Sequence, residues 1–225
     1  MLKLKYKSFL LIIFCLLVFS LQVIYAKPTT LEGVKIMVDA GHGGRDAGTM
    51  YQDILEKDIN LEISKVLKKE LVSKGATVYM TRTKDEDLSS IYDPAKKRGD
   101  LYRRLLLIHD KKCDLYISIH INWYQNTSVS GAEVLYNEIN PNNRLLAKSI
   151  MNEFKKDLNS TRKITTTDLY MYRNTTIPGV LVECGYLSNP TERKLLQEKG
   201  YQEKLSKSIT QGIVNYLKKG KEPKI

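Results

Sequence analysis

Apolar and polar positions follow two alternating rhythms along the chain. Short apolar runs bounded by glycine, asparagine or charged residues read as strands over 34–39, 76–81, 114–122, 131–136, 169–172 and 180–184. Between them lie apolar residues at helical spacing. Ile59, Ile63, Val66, Leu67 and Leu71 predict a helix over 58–73, and Leu146, Ile150, Phe154 and Leu158 predict one over 143–158. A helix is expected over 100–111, and Leu205, Ile209, Ile213 and Leu217 form one face of a last helix. Asn189-Pro190-Thr191-Glu192 reads as a helix start, with Asn189 the N-cap, Pro190 the first helical position and Glu192 completing a capping box. Residues 84–97 are polar and irregular, a long surface loop. Strand–helix alternation of this kind predicts a single α/β domain with a twisted, mostly parallel sheet and helices on both faces. No internal repeat or low-complexity linker divides it.

The first residues follow another pattern. Lys3, Lys5 and Lys7 precede an apolar run over 9–21 that is interrupted only by Cys15 and Ser20, and the segment closes at Ala26. This is the layout of a secretory signal, although Ile24 stands where a small residue is usual. The stretch 9–26 is also near the lower length limit for a membrane span, so a retained anchor is the alternative. Residues 1–26 are therefore expected to be a signal peptide or N-terminal anchor, residues 27–225 the folded domain, and the protein exported.

Composition adds little to this picture except through charge and cysteine. An apolar fraction of 42% and a charged fraction of 27% in 225 residues support a real core and exclude disorder for the bulk of the chain. The net charge of +11 reads first as a lysine-rich solvated surface, and second as attraction to a polyanion such as a wall polymer or anionic lipid. Nucleic acid ranks last, because no basic block is interleaved with aromatics. Besides Cys15, only Cys113 and Cys184 are present, far apart and without a CxxC. If their strands run parallel they sit at opposite ends of the sheet, beyond the ~7 Å Cα separation a disulfide allows, so two free thiols are expected.

The chain has three histidines. His42 follows the first strand inside Gly41-His42-Gly43-Gly44, and His120 lies near the end of the 114–122 strand. Open α/β sheets gather their chemistry at the carboxyl ends of strands, and imidazoles there suit a borderline ion such as zinc. Glu56 continues the apolar stripe of the following helix. A carboxylate there is either neutralised by a metal or placed by the helix dipole, and position alone weighs the two equally. Glu183 closes a strand of Val180, Leu181 and Val182. It reads as a general base with a raised pKa or as a buried glutamate paired with an arginine such as Arg104, and the residue type leans toward catalysis. His109 follows Leu105–Ile108 on a helix and reads as a packing or capping residue. The glycines around His42 lack the residues of a phosphate loop or a dinucleotide fingerprint, and instead let the backbone turn tightly.

Four segments together resemble a known family. Val38-Asp39-Ala40-Gly41-His42-Gly43-Gly44-Arg45-Asp46-Ala47-Gly48, Glu56-Lys57-Asp58, Ser118-Ile119-His120-Ile121-Asn122 and Val182-Glu183-Cys184-Gly185-Tyr186-Leu187-Ser188-Asn189 are similar, in order, to the motifs of the type 3 zinc-dependent N-acetylmuramoyl-L-alanine amidases. The resemblance implies a phosphorylase/hydrolase-like fold. It also implies one Zn2+ held by His42, Glu56 and His120, with Glu183 as catalytic acid/base and peptidoglycan as substrate. Asp100-Leu101 with Arg104, the stretch 158–162 and Pro178-Gly179 resemble the germination-specific branch, which implies a role in muramic-δ-lactam formation in spore cortex. Ala40, His109 and Trp123 depart from the usual proline, asparagine and small residue of the family, and Trp123 beside the metal loop is expected to alter substrate fit. Two alternatives stand beside this reading: a zinc carboxypeptidase cutting within the peptide stem, and a non-catalytic wall-binding protein. With no residues left for a wall-binding module, a targeting or regulatory partner is also expected.

Overall fold

The computed structural model describes residues 13–14, 30–93 and 95–219. The chain divides into units over 1–30 and 31–225, and the second is described here. Apart from Ile13 and Phe14, the expected signal or anchor over 1–26 lies outside the described residues. Among the described residues, no helix is long and apolar enough to cross a membrane.

Among the described residues of this unit, eight strands and six helices follow in chain order. They are β1 (Lys35–Ala40), β2 (Met50–Tyr51), β3 (Ile54–Leu55), α1 (Glu56–Ser73), β4 (Thr77–Met80), α2 (Lys96–Asp110), β5 (Leu115–Asn122), β6 (Glu133–Tyr136), α3 (Pro141–Asp157), β7 (Thr165–Thr166), α4 (Tyr170–Arg173), β8 (Gly179–Tyr186), α5 (Pro190–Gln197) and α6 (Lys199–Lys219). Six strands form one sheet in the order β4-β1-β5-β8-β6-β7, while β2 and β3 form a separate hairpin. The strands β4, β1, β5 and β8 are mutually parallel, and β6 runs antiparallel to β8. This is the α/β class and mostly parallel sheet that the strand–helix alternation predicts.

Side chains alternate across a strand, so each strand feeds two different environments. Ile36 and Val38 of β1, Ile117, Ile119 and Ile121 of β5, and Val180 and Val182 of β8 point to one face. Ile59, Ile63, Leu67 and Leu71 of α1, Leu146, Ile150 and Phe154 of α3, and Leu205, Ile209 and Ile213 of α6 cover that face, as their spacing predicts. Burying each such aliphatic side chain stabilises the fold by ~1.5–3 kcal/mol. On the other face Met37, Tyr116 and Leu181 pack with Ile108 of α2 and Met171 of α4. Toward the carboxyl ends of the strands this second face turns polar, through Asp39, Ser118, His120 and Glu183, which all line one cavity.

The structure corrects two local expectations and agrees with a third. The 169–172 run is the short helix α4 and not a strand, because an apolar run of four residues fits either period. The sheet edge is instead the two-residue β7. At α5, Asn189 caps as expected by accepting from the N–H groups of Thr191 and Glu192. The Glu192 carboxylate does not close a capping box, however. It accepts the N–H groups of Gly131 and Tyr186, both at 2.8 Å, and ties the end of β8 to the approach to β6. Cys113 and Cys184 are both free and buried, and burial pushes the Cys113 thiol up to about 11.

Candidate active site

Residues remote in sequence meet at the carboxyl ends of β1, β5 and β8. His42 stands on the loop after β1, Glu56 is the first residue of α1, and His120 lies on β5. One donor atom from each lies within 4.8 Å of the other two. The Glu56 Oε1 atom is 3.2 Å from His42 Nε2 and 3.1 Å from His120 Nδ1. Two imidazole nitrogens and a carboxylate oxygen converging in this way fit a borderline divalent cation such as zinc, with a coordination position left over. His109 is exposed near the end of α2 and has no part in the cluster.

The cluster is held from behind. Glu56 is 3% exposed, so its charge depends on local partners. Its Oε2 accepts the Thr49 N–H at 2.7 Å, and its Oε1 accepts the Ile121 N–H at 3.0 Å and the Asn60 amide at 3.2 Å. Burial opposes ionisation of Glu56, but the hydrogen bonds and charges of the two imidazoles outweigh it and hold the carboxyl far below its usual range. His42 shows the same balance from the side of the base. Burial disfavours its charge, yet Glu56 and Asp46 raise its pKa. The Asp46 carboxylate lies 2.9 Å from His42 Nδ1.

Two close approaches require glycine. A Cβ on Gly48, which sits at φ +69°, would fall 2.4 Å from Glu56 Oε2 and 2.7 Å from His42 Cδ2. A Cβ on Gly41 would fall 2.4 Å from the His120 ring. His42 itself adopts φ 61°, which a non-glycine residue holds only when its surroundings impose it. Two buried arginines do so. Arg104 donates to the carbonyls of Ala40 and His42, each at 2.7 Å, and Arg82 donates to those of Ala40 at 2.9 Å and Gly41 at 3.0 Å. Arg104 is in turn ion-paired with Asp39 and Asp100, both at 2.7 Å. Burial works against the Asp39 charge, but Arg104 and the Ser118 hydroxyl bring its pKa down to about 2.

Glu183 is therefore not the partner of Arg104, whose carboxylates are Asp39 and Asp100. Glu183 lies opposite His120 in the β5–β8 register and opposite Glu133 in the β8–β6 register. Neighbouring strands are ~4.8 Å apart, so the three side chains form a row across the polar face. The Glu183 Oε2 atom is shielded from solvent and has no hydrogen-bond partner. Burial, reinforced by the charges of Glu56 and Glu133, pushes its pKa up to about 8. A carboxyl poised there can both take and return a proton near neutral pH. Glu133 is occupied differently. It accepts from Arg162 at 3.0 Å, from Asn122 at 3.2 Å and from the Tyr186 hydroxyl.

Beside this row opens a cavity of about 330 Å³. His42, His120 and Glu183 line one part of it, and Leu101, Leu135 and Met171 line another. The roles of Asp39, Arg82, Glu133 and of Arg104 as a loop clamp are not visible from single residues in the sequence. The signal that could have found the polar face is the alternation in β5, where Tyr116, Ser118, His120 and Asn122 interleave with Leu115, Ile117, Ile119 and Ile121.

Residues 36–215 match the family model described as N-acetylmuramoyl-L-alanine amidase. The chain is 39% identical over 233 residues to the germination-specific N-acetylmuramoyl-L-alanine amidase of Bacillus subtilis, covering 98% of each protein. It is 34% identical to the probable cell wall amidase LytH of Staphylococcus aureus, over 83% of this chain and 60% of that one. Among solved structures, the CwlD amidase from Clostridioides difficile in complex with the GerS lipoprotein superimposes with a TM-score of 0.79. That match has 34% identity and covers 83% of this chain and 99% of the other. With the family model spanning most of its length and such relatives on either side, the chain belongs to the N-acetylmuramoyl-L-alanine amidase family.

Proposed function

We propose that the chain is a zinc-dependent amidase that cleaves the bond between N-acetylmuramic acid and L-alanine in peptidoglycan. His42, Glu56 and His120 hold the metal in this reading, and Glu183 is the acid/base. The observation that carries it is Glu183 in register beside His120, with a raised pKa and an unpartnered oxygen next to a convergent His–Glu–His donor set.

Zinc, when bound, supplies Lewis acidity that polarises the scissile carbonyl and lowers the pKa of water. Glu183 removes a proton from the attacking water, whose oxygen forms the new bond to the lactyl carbonyl carbon. The same carboxyl then delivers that proton to the L-alanine nitrogen as the C–N bond breaks. The products are the lactyl carboxylate and a peptide stem with a free amine. Arg104 and Arg82 keep the His42 loop in place throughout.

The germination-specific relative supports a role in spore cortex, through the muramic-δ-lactam pathway. Lys3, Lys5, Lys7 and the apolar run over 9–21 support export, with 1–26 as a cleaved signal or a membrane anchor and 27–225 as the catalytic domain. The site of action is then the outer face of the membrane, the wall or the cortex. A protein partner belongs to the same reading, since the C. difficile relative was solved with a lipoprotein. Purified peptidoglycan is incubated with the zinc-loaded protein and the products are weighed by mass spectrometry. Intact stems ending in L-alanine with a free amine are expected, and cleavage within the stem would overturn the proposal in favour of a peptidase.

A further inference from the structure

Four large apolar side chains stand exposed near the metal-ligand cluster without lining the cavity. Met50 is 56% and Trp123 50% exposed, and Tyr51 and Tyr124 are exposed with them. Scattered exposed apolar residues need no explanation, but contiguous ones mark a binding surface. These four belong together. Met50-Tyr51 forms β2, whose hairpin with β3 leads directly into Glu56. Trp123-Tyr124 begins three residues after His120. A bridge through α5 joins the two pairs. The Tyr124 N–H donates to Ser188 Oγ at 3.1 Å, Arg193 donates to the Leu187 carbonyl at 2.9 Å, and the Arg193 guanidinium lies 3.5 Å from the Tyr51 ring centroid. The stack fixes the Tyr51 ring.

The loop that carries Trp123 and Tyr124 is uncharged, and the Arg193 guanidinium is the one charge stacked on Tyr51. Residues 122–130 contain no acidic or basic side chain, in a chain where 27% of residues are charged. Gln125, Asn126, Thr127 and Ser128 follow the aromatic pair and are all exposed. The loop is nevertheless ordered by its own bonds, with Asn126 Oδ1 accepting the Ser128 N–H at 3.0 Å and the Thr127 carbonyl accepting the Asn189 amide at 2.9 Å. Rigid aromatic faces beside neutral amides and hydroxyls match a pyranose ring, whose axial C–H face is apolar and whose rim is hydroxylated. A charged partner would meet no complementary charge on this loop.

We propose that Trp123, Tyr124 and Tyr51 form a shelf that binds the glycan strand of peptidoglycan by stacking against its sugar rings. The proposal rests on peptidoglycan being the substrate, and it deepens that reading by giving the sugars a place distinct from the cavity. The shelf sets which glycan segment presents its lactyl amide to the cluster.

Trp123 is the sole tryptophan of the chain, so its fluorescence reports directly on the shelf. The probe is peptide-free glycan strands, which contain no scissile amide, titrated into the full-length wild-type protein. A blue shift of tryptophan emission is expected. Tyr124→Ala and Tyr51→Ala should each weaken binding by about tenfold, and Trp123→Ala should do so at least as strongly by calorimetry. The surface variant Tyr102→Ala should bind as wild type does. Thermal melts of each variant separate lost binding from lost fold, which is not expected at half-exposed positions. The shelf is refuted if glycan leaves the emission unchanged, if free stem peptide shifts it equally, or if Trp123→Ala binds glycan like wild type. A shelf that binds glycan in a protein that fails to release stems would sink the amidase reading alone.

Discussion

Replacing Glu183 by glutamine separates catalysis from folding through pH. The folded protein raises this carboxyl from 4.5 to about 8, chiefly by burial. At about 1.4 kcal/mol per pH unit, that difference amounts to about 5 kcal/mol in the metal-free protein once the group is ionised. The direction follows from proton binding. Below pH 4.5 the carboxyl is protonated in folded and unfolded chains alike. Between 4.5 and about 8 the unfolded chain ionises first, so wild-type stability falls as pH rises, and above about 8 the loss is complete. Glutamine carries no such penalty, although its own buried amide costs about 1–3 kcal/mol if unpaired. Glu183→Gln should therefore be more stable than wild type by about 2–4 kcal/mol at pH 9, and no more stable than wild type at pH 4. Urea unfolding of chelator-treated protein at the two pH values measures this. On the zinc-loaded enzyme, the same variant should retain metal and lose activity by about 10²–10⁴-fold. Equal pH dependence of the two proteins would refute the assigned burial of the charge. Near-normal hydrolysis would refute the catalytic role, and a variant destabilised at every pH would return Glu183 to a structural one.

Three further outcomes test the rest of the site. His120→Ala should lose bound zinc by elemental analysis while His109→Ala keeps it, and equal loss in both would break the ligand assignment. Gly48→Ala, whose methyl group would meet Glu56 and His42, should weaken zinc affinity by about 10–100-fold in a competition titration with a chromogenic chelator; wild-type affinity would show that the crowding is relieved. Arg104→Met strands Asp39 and frees the His42 carbonyl, so it should destabilise the fold by about 3–5 kcal/mol in urea. A change below about 1 kcal/mol would place that ion pair among weak surface ones.

What could be read in advance was local or periodic. The helical stripes of α1, α3 and α6 predicted their buried faces, and His42, His120 and Glu183 drew attention because each ends a strand. Glu56 stood out as a carboxylate on an apolar stripe. What could not be read depends on which strands become neighbours. Nothing near Arg104 in sequence says that it reaches Asp39, 65 positions away, or the carbonyl of His42. Glu133 looked like an ordinary strand residue because its partners Arg162 and Tyr186 arrive from later segments. Glu192 has the spacing of a capping box, but its carboxylate accepts the N–H groups of Gly131 and Tyr186, while the Asn189 N–H donates to the Tyr186 carbonyl. The 169–172 run is ambiguous for a simpler reason, since four residues are too few to display a period.

The strand order has a consequence for when activity can exist at all. β8 carries Glu183, yet it is the last strand to be synthesised and sits inside the sheet, between β5 and β6. Until residues 179–186 are present, β6 and β7 have no neighbour to pair with on the β5 side, and the polar face lacks Glu183, its proposed acid/base. His42, Glu56 and His120, the proposed ligands, are by contrast all present by residue 120. A nascent chain, or one clipped before β8, could therefore gather metal donors without being able to hydrolyse anything. Because long-range pairings of this kind form together and late, hydrolysis by the proposed mechanism waits for the completed sheet, a timing written into chain order.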